Sequence, residues 1–157
     1  MKSHNIDATD KRILAELQRD ASLSLDALSE KIKTPRNSCW RRLNKLEQAG
    51  VISRRVALLD PRSLNAGLMV FVIVRTSRHT PDWAAEFRDA VKDIPEIIAA
   101  YRTAGDIDYV LQARLPDVSA YDILYRKLIA RIDMVDVSAT FVMETMKETT
   151  EIPLSFV

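Results

Sequence analysis

The stretch "SLSLDALSEKIKTPRNSCWRRLNKLEQAG", residues 22–50, decides the fold of the N-terminal part of the chain. Ser24 is a typical helix N-cap, and the apolar residues after it recur at helical spacing, which predicts a short helix. Thr34 and Pro35 then mark the start of another helix, as N-cap and first helical residue, and Gly50 marks its end. Two helices joined by so tight a turn predict a helix-turn-helix.

A third helix precedes this pair and supplies the partner that the pair needs for a core. Asp7 is its predicted N-cap, and Ile13, Leu14 and Leu17 lie on one face at helical spacing. Three short helices can then enclose one small apolar core.

The helix that follows Pro35 has two different sides. At about 100° per residue, its apolar residues Cys39, Leu43 and Leu46 fall in one narrow stripe that must pack inward. The opposite side carries only polar and basic residues, Asn37, Arg41, Asn44, Lys45 and Gln48. Most charged helix faces are simply solvated, but a face without carboxylates, next to a tight turn, favours contact with a polyanion.

The mechanism that this face predicts is docking in the major groove of double-stranded DNA. We expect Arg41 and Asn37 to contact base edges, with Ser38 and Asn44 beside them. The predicted phosphate contacts are Arg36, Arg42, Lys45, Arg54 and Arg55. The last two lie in "VISRRVALLD", which we interpret as a β segment leading into a linker at Asp60 and Pro61.

The overall charge of +1 conceals two oppositely charged halves. Residues 1–63 carry 13 Lys or Arg against 8 Asp or Glu, a net charge of +5, whereas residues 64–157 carry 10 against 14, a net charge of −4. This asymmetry predicts two domains with different partners, which we place at residues 1–60 and 61–157.

The composition argues against several classes of protein. The longest apolar run, Ala66 to Val74, is too short to cross a bilayer, and residues 1–10 have no signal-peptide core, so we expect a cytoplasmic protein without a membrane partner. Cys39 is the single cysteine and His4 and His79 are the only histidines, which argues against a disulfide framework or a metal site. We predict no cofactor.

The second half has the order βαββαβ, which predicts a ferredoxin-like sandwich and an α+β fold overall. The strands are "LMVFVIVRT", "IIAAYRT", "YVLQARL" and "VDVSATFVM", with one helix after the first strand and one after the third. In the first strand both faces are apolar, and two helices cover only one of them. We expect a second subunit to cover the other, the alternative being the linker or the C-terminal segment.

The stretch "TAGDIDYVL" holds the second candidate site. Gly105 and Asp106 predict a hairpin between two strands, and Asp106, Asp108 and Tyr109 could also bind the ammonium and carboxylate groups of an amino acid. Paired carboxylates can serve acid–base catalysis, but no nucleophile, metal cluster or phosphate loop accompanies them, so we predict no enzyme. Met134, Met143 and Met146 are interpreted as packing residues.

The segments "IDATDKRILAELQRDASLSLDALSEKI", "CWRRLNKLEQAGVI", "ALLDP", "AGDIDYVL", "AYDILYRKL" and "FVMETMKETTEIPL" together resemble the Lrp/AsnC (feast/famine) family of transcription regulators. Most similar is the branch that senses cysteine, through "RRVALLDP", "HTPDW" and "KETTEIPL". At residues 34–39 the chain departs from the family's usual order of threonine, proline and cysteine. We therefore do not infer its operator from relatives.

The resemblance implies a winged helix-turn-helix followed by an effector domain, in homodimers that commonly assemble into octamers. It implies an amino-acid effector bound between dimers at Gly105, Asp106, Asp108 and Tyr109, and also at Thr140, Phe141 and Met143. The function predicted is thus a DNA-binding transcriptional regulator controlled by a small amino acid, cysteine being one candidate. The alternative is an amino-acid-binding regulatory subunit of a metabolic enzyme.

Overall fold

The computed structural model of the chain describes residues 5–157, and its contacts separate two units. The first unit runs to Leu58 and includes the C-terminal segment Lys147–Val157, while the second is Leu59–Met146. The domain boundary predicted from the sequence assigns this segment to the second domain, residues 61–157. It joins the first because its backbone bonds to α1 and its apolar residue Leu154 packs against the first unit's core.

The first unit contains three helices, α1 (Ala8–Arg19), α2 (Leu25–Lys31) and α3 (Arg36–Gln48). The Asp7 carboxylate caps α1, accepting from the backbone N–H groups of Thr9 at 2.8 Å and of Asp10 at 2.9 Å. The Ser24 hydroxyl caps α2 by accepting from Ala27 N–H at 3.1 Å. Both predicted N-caps are confirmed, and each satisfies a backbone donor that has no partner within its helix.

The start of α3 differs by one residue from the prediction. Pro35 is the N-cap, and its carbonyl accepts from Cys39 N–H at 3.0 Å. Thr34 does not cap α3, because its hydroxyl donates to the Ile32 carbonyl at 3.3 Å instead. Lys33 takes a left-handed conformation with φ of 52°, which ends α2 and leaves a tight turn before α3.

The core of the first unit confirms the predicted inward stripe of α3. Cys39 and Leu46 are fully buried with Ile13 of α1 and Leu28 of α2, and Leu43 is half-buried against them. Burial raises the pKa of the Cys39 thiol, as expected for a small apolar side chain without a redox role.

The β segment predicted after Gly50 is wrong for the chain as described here. Residues 53–60 have no regular secondary structure, and no backbone–backbone hydrogen bond joins them to other described residues. A strand requires a partner for its backbone groups, and the described part of this chain supplies none.

The second unit confirms the predicted βαββαβ order and the α+β fold. Its elements are β1 (Leu68–Arg75), α4 (Pro81–Lys92), β2 (Ile97–Arg102), β3 (Tyr109–Leu115), α5 (Ser119–Ile129) and β4 (Asp136–Phe141). The four strands form one antiparallel sheet in the order β2-β3-β1-β4. A 3₁₀ turn, Leu154–Phe156, lies in the C-terminal segment of the first unit.

One face of the sheet packs on the two helices. Val70, Val72 and Val74 are buried there with Trp83 of α4 and Leu124 of α5. The other face presents Met69, Phe71 and Ile73, alternating with the buried valines as predicted. No helix in the described part of the chain is long and apolar enough to cross a membrane.

The methionines do not all behave as predicted. Met134 packs against the core of the second unit. Met143 and Met146 are 95% and 92% exposed, so the interpretation of these two as packing residues is wrong within a single chain. They follow the end of β4, where neither sheet nor helix covers them.

Candidate functional sites

The outer face of α3 is exposed and basic, as its sequence predicts. Arg41 and Lys45 are exposed, and neither has a hydrogen-bond or ion-pair partner among the described residues. Asn37 is also exposed, while Asn44 is half-buried. Arg54, beyond the end of the helix, is likewise exposed and unpaired among residues 5–157. These side chains are free to donate hydrogen bonds to an external acceptor.

Two further cations on this surface have acidic neighbours. The Arg36 Nε lies 2.5 Å from Asp26 Oδ1, and the Arg55 Nη2 lies 2.7 Å from Glu47 Oε1. All four side chains are at least 41% exposed. Exposed pairs contribute about 0–1 kcal/mol, so either arginine can exchange its carboxylate for a phosphate at little cost.

Arg42 is placed differently from the other predicted DNA contacts. Its Nη1 donates to Asp7 Oδ2 at 2.6 Å and to Asp10 Oδ1 at 2.8 Å, which joins α3 to the beginning of α1. The pKa of Arg42 is raised by its hydrogen bonds to Asp10 and then to Asp7. Only 29% of its side chain is exposed, and Asp10 is buried, so this pair holds the helices together.

Trp40 belongs to the same helix and is not among the residues predicted from the sequence to contact DNA. It is 56% exposed, three residues after Asn37 and four before Asn44, so it lies next to both on the helix surface. Its position directly before Arg41 and Arg42 was the feature of the sequence that could have identified it. Ser38 is half-buried beside the inward stripe.

The predicted hairpin lies between β2 and β3. Gly105 has φ of +118°, a conformation that L side chains rarely adopt, so the turn requires glycine here. Thr103 closes the turn, its N–H bonding to Asp108 O at 2.8 Å and its hydroxyl to Ile107 O at 2.6 Å. Asp106 is exposed, and its carboxylate has no partner among the described residues.

The second carboxylate of the hairpin is partly engaged. Asp108 Oδ2 accepts from Thr76 N–H at 2.8 Å, and its Oδ1 lies 3.7 Å from His79 Nδ1. The side chain is 25% exposed, and the hydrogen bond to its Oδ2 fixes the chain just beyond the end of β1. The two aspartates therefore differ in how freely they can meet a ligand.

The remaining predicted effector residues are not brought together within one chain. Tyr109 packs toward α4, with its ring centroid 4.4 Å from that of Phe87. It pairs with Val74 of β1, whereas Phe141 of β4 pairs with Val70. Four residues of β1 correspond to about 13 Å.

The last-strand residues are also separated from one another. Thr140 lies on the open face of the sheet and Phe141 on the helix face, because consecutive residues of a strand alternate. Met143 lies beyond the end of the strand and is exposed. In the described residues, no group of three or more His, Cys, Asp and Glu side chains could hold a metal ion.

Two family models match the chain, one for each part. "Winged helix-turn-helix DNA-binding" matches residues 6–53, and "Lrp/AsnC ligand binding domain" matches residues 69–152. The first covers all three helices of the first unit, with α3 among them, and the second covers the sheet and its hairpin.

Two solved structures are similar along nearly the whole chain. An AsnC family transcriptional regulator from Agrobacterium tumefaciens is 45% identical, with a TM-score of 0.93 over 96% of this chain and 98% of that one. A transcriptional regulator from Neisseria meningitidis, solved with L-Met, is 34% identical, with a TM-score of 0.90 over 96% of this chain and 97% of that one.

Curated relatives agree with these structures. A glutamate uptake regulatory protein of Zymomonas mobilis is 46% identical over 95% of this chain and 91% of its own length. The DNA-binding transcriptional activator DecR of Escherichia coli is 37% identical over 95% of this chain and 99% of its own. Both relatives are named as regulatory proteins, DecR as a DNA-binding activator of transcription, and neither is named as an enzyme. The chain therefore belongs to the Lrp/AsnC family, and it is a DNA-binding transcriptional regulator.

Proposed function

We propose that α3 enters the major groove and that Arg41 and Asn37 contact base edges there. The observation that carries this proposal is the outer face of α3, where Arg41 and Lys45 are exposed and unpaired among the described residues, with no carboxylate between them. Arginine can donate two hydrogen bonds to a guanine edge, and asparagine can pair with adenine.

The phosphate contacts surround this helix face. Lys45 and Arg54 are unpaired among the described residues, and Arg36 and Arg55 can leave their exposed acidic partners. Arg42 is left out of the proposed contacts, since withdrawing it from Asp10 would leave a buried carboxylate without its cation. This assignment narrows the set predicted from the sequence.

The second proposal concerns the effector. We infer that the hairpin binds a small amino acid, with the free carboxylate of Asp106 and the partly exposed carboxylate of Asp108 facing its ammonium group. The Neisseria meningitidis regulator, solved with L-Met, supports an amino acid as the ligand class. Cysteine remains a candidate, as do glutamate and methionine.

The same geometry supports an assembly of several chains. The hairpin and Phe141 lie near opposite ends of β1, so one effector can meet both sets only if two chains contribute. The open sheet face, with Phe71 and Ile73 half-buried, provides the surface for a homodimer. We propose that such dimers assemble further, to octamers, with residues 1–60 contacting DNA and residues 61–146 binding effector and partner subunits.

The test of the DNA proposal uses a site that the full-length protein selects from a random DNA pool. Arg41→Ala should weaken binding to that site by about 1–3 kcal/mol, or roughly 5- to 150-fold, and should relax base preference. Lys45→Ala should weaken selected and random DNA alike and reduce the salt slope by about one. Fluorescence anisotropy over a salt series measures both.

Arg126→Ala is the matched control, because this arginine lies on α5 and is 75% exposed. Its affinity should equal that of the wild type. Wild-type affinity and base preference for Arg41→Ala would remove α3 from the proposed base-reading role.

The test of the effector proposal is a thermal-shift screen against the amino acids, followed by calorimetry with each one that raises the midpoint. Asp106→Asn should weaken binding at least about tenfold, because the amide keeps the shape and removes the charge. DNA binding by the effector-free protein should not change. Wild-type affinity for both Asp106→Asn and Asp108→Asn would place the effector elsewhere.

A further inference from the structure

A cavity of about 340 Å³ lies in the second unit between α4 and the strands β2 and β3. Phe87 and Val91 of α4 form its apolar wall together with Ala100 and Tyr109. Tyr109 adds a phenol that has no hydrogen-bond partner among the described residues. A concave apolar surface with a few polar groups, at the lower end of the range of about 300–1,000 Å³, is typical of small-molecule sites.

Three cations line the same cavity. Arg88 and Lys92 lie one helical turn apart on α4, and Arg102 is the last residue of β2. All three are exposed, and none has a hydrogen-bond or ion-pair partner within residues 5–157. This is unusual in a half of the chain whose net charge is −4.

The acidic residues of α4 point away from the cavity. At about 100° per residue, Arg88 and Lys92 fall within the same third of the helix circumference as Ala84 and Val91. The acidic side chains lie on the other side of the helix, and the one nearest the rim, Asp89, is about 60° from Lys92 and forms no ion pair with it in the described structure; the others are Asp82 and Glu86. The cavity therefore has an apolar interior and a rim on which positive charge is not neutralised.

We propose that this cavity is a second small-molecule site, which adjoins the hairpin at Tyr109 but does not include the hairpin carboxylates, and that it binds a monocarboxylate with an aromatic or branched apolar body. The apolar part lies against Phe87 and Val91. The carboxylate meets Arg88, Lys92 and Arg102 at the rim. Charge complementarity selects the anion, and the lack of a carboxylate in the lining disfavours the ammonium group of a free amino acid.

The experiment uses the full chain with Trp40→Phe, which leaves Trp83 as the only tryptophan. Trp83 stacks on Phe87 at 5.2 Å, so it can transfer excitation to 1-anilinonaphthalene-8-sulfonate bound in the cavity. We expect 4-phenylbutyrate to displace this anionic probe. The neutral analogue 4-phenylbutan-1-ol should displace it at least about tenfold less well.

Variants locate the binding. Arg88→Ala with Lys92→Ala should weaken binding of 4-phenylbutyrate about tenfold, because two of the three cations at the rim are removed. Ala100→Phe should exclude the probe by filling the cavity. Arg126→Ala, which removes one exposed charge on α5, and Asp106→Asn, in the hairpin, should leave displacement unchanged.

Three outcomes would overturn the proposal. The alcohol could displace the probe as well as the acid, or the double variant could bind 4-phenylbutyrate like the wild type. Asp106→Asn could abolish displacement, which would make the cavity part of the hairpin site. Sedimentation velocity is a further check. A lower oligomeric mass for Arg88→Ala with Lys92→Ala than for the wild type would mean that a second copy of the chain, and not a small molecule, occupies the cavity, which would also overturn the proposal.

Discussion

The two units differ in what holds them together. Among residues 5–157, six apolar residues are buried in the core of the first unit, against fourteen in that of the second. The first unit adds polar ties between elements, such as Arg42 to Asp7 and Asp10. A small core buries a smaller share of its surface, so such ties make up a larger part of its stability. The unit that contacts DNA is therefore the more sensitive to changes at its surface.

The largest expected effect separates the two cores. Leu46→Ala in α3 and Leu128→Ala in α5 each remove a fully buried side chain and should cost about 2–5 kcal/mol. We expect Leu46→Ala to unfold the first unit while the sheet stays folded. Leu128→Ala should lower the melting temperature of the second unit. Calorimetry with circular dichroism measures both, and a single transition that shifts equally in both variants would contradict the independence of the units.

A smaller effect tests the polar tie in the first unit. Arg42→Ala should cost about 1–3 kcal/mol of stability, because the buried Asp10 carboxylate loses its charged donor. Arg41→Ala, on the neighbouring position, should leave the unfolding midpoint within about 0.5 kcal/mol of the wild type. Urea unfolding supplies the comparison. Equal destabilisation by the two substitutions would show that the Arg42 contacts carry no special weight.

The next prediction concerns the hydrogen bonds between α1 and the C-terminal segment. The Gln18 side chain donates to Ile152 O at 3.2 Å and accepts from Ile152 N–H at 2.6 Å. Gln18→Ala should cost about 1 kcal/mol, because both groups are exposed and water replaces part of the loss. Hydrogen exchange at the Ile152 amide should become faster, with exchange in β1 unchanged. Unchanged exchange at Ile152 would mean that this contact does not persist in solution.

The smallest effect is the dependence on pH. The backbone N–H of Asp10, and then Arg42, lower the pKa of Asp7 below its ordinary value of 3.8, while Lys127 lowers the pKa of Glu96 below 4.5. A lowered folded-state pKa stabilises the protein above the unfolded value, and this stabilisation is lost as the pH falls through the folded value. Both contributions should therefore be present at neutral pH and disappear below about pH 4.

Single substitutions assign this loss to a unit. Asp7→Asn should flatten the acid dependence of the first unit's midpoint only, and Glu96→Gln that of the second only. Melting curves from pH 6 to pH 2.5 measure the slopes. If the midpoint of Asp7→Asn depends on pH as steeply as that of the wild type, then the hydrogen bonds to Asp7 do not stabilise its ionised form over its protonated form.

Much of the fold could be predicted because its signals are local. Ser24 and Asp7 cap their helices by bonding to N–H groups two or three residues ahead, which sequence shows directly. Consecutive residues of β1 point to opposite faces of the sheet, so its sequence alone predicted that Val70 and Val72 lie on one face and Phe71 on the other. The start of α3 was missed by one residue because the left-handed Lys33 gave Thr34 another acceptor.

The sites were harder to predict, because the role of each residue depends on contacts with residues that are distant in the sequence. Arg42 resembles Arg41 in sequence, but only the fold brings it to Asp10 on α1. Tyr109 follows the hairpin directly, yet the strand turns its ring toward α4. The family resemblance implies that Phe141 also contacts the effector, but the strand register places it near the far end of β1 from the hairpin.

The sequence alone determined the order of elements, the two domains' opposite charges and the family resemblance, because periodicity, caps and motifs are properties of neighbouring residues. Only the tertiary structure decided which cations are free and which are tied, where the C-terminal segment packs, and that α4 shares a cavity with β2. Those properties depend on distances between residues that the chain separates, and such distances exist only once the core has formed.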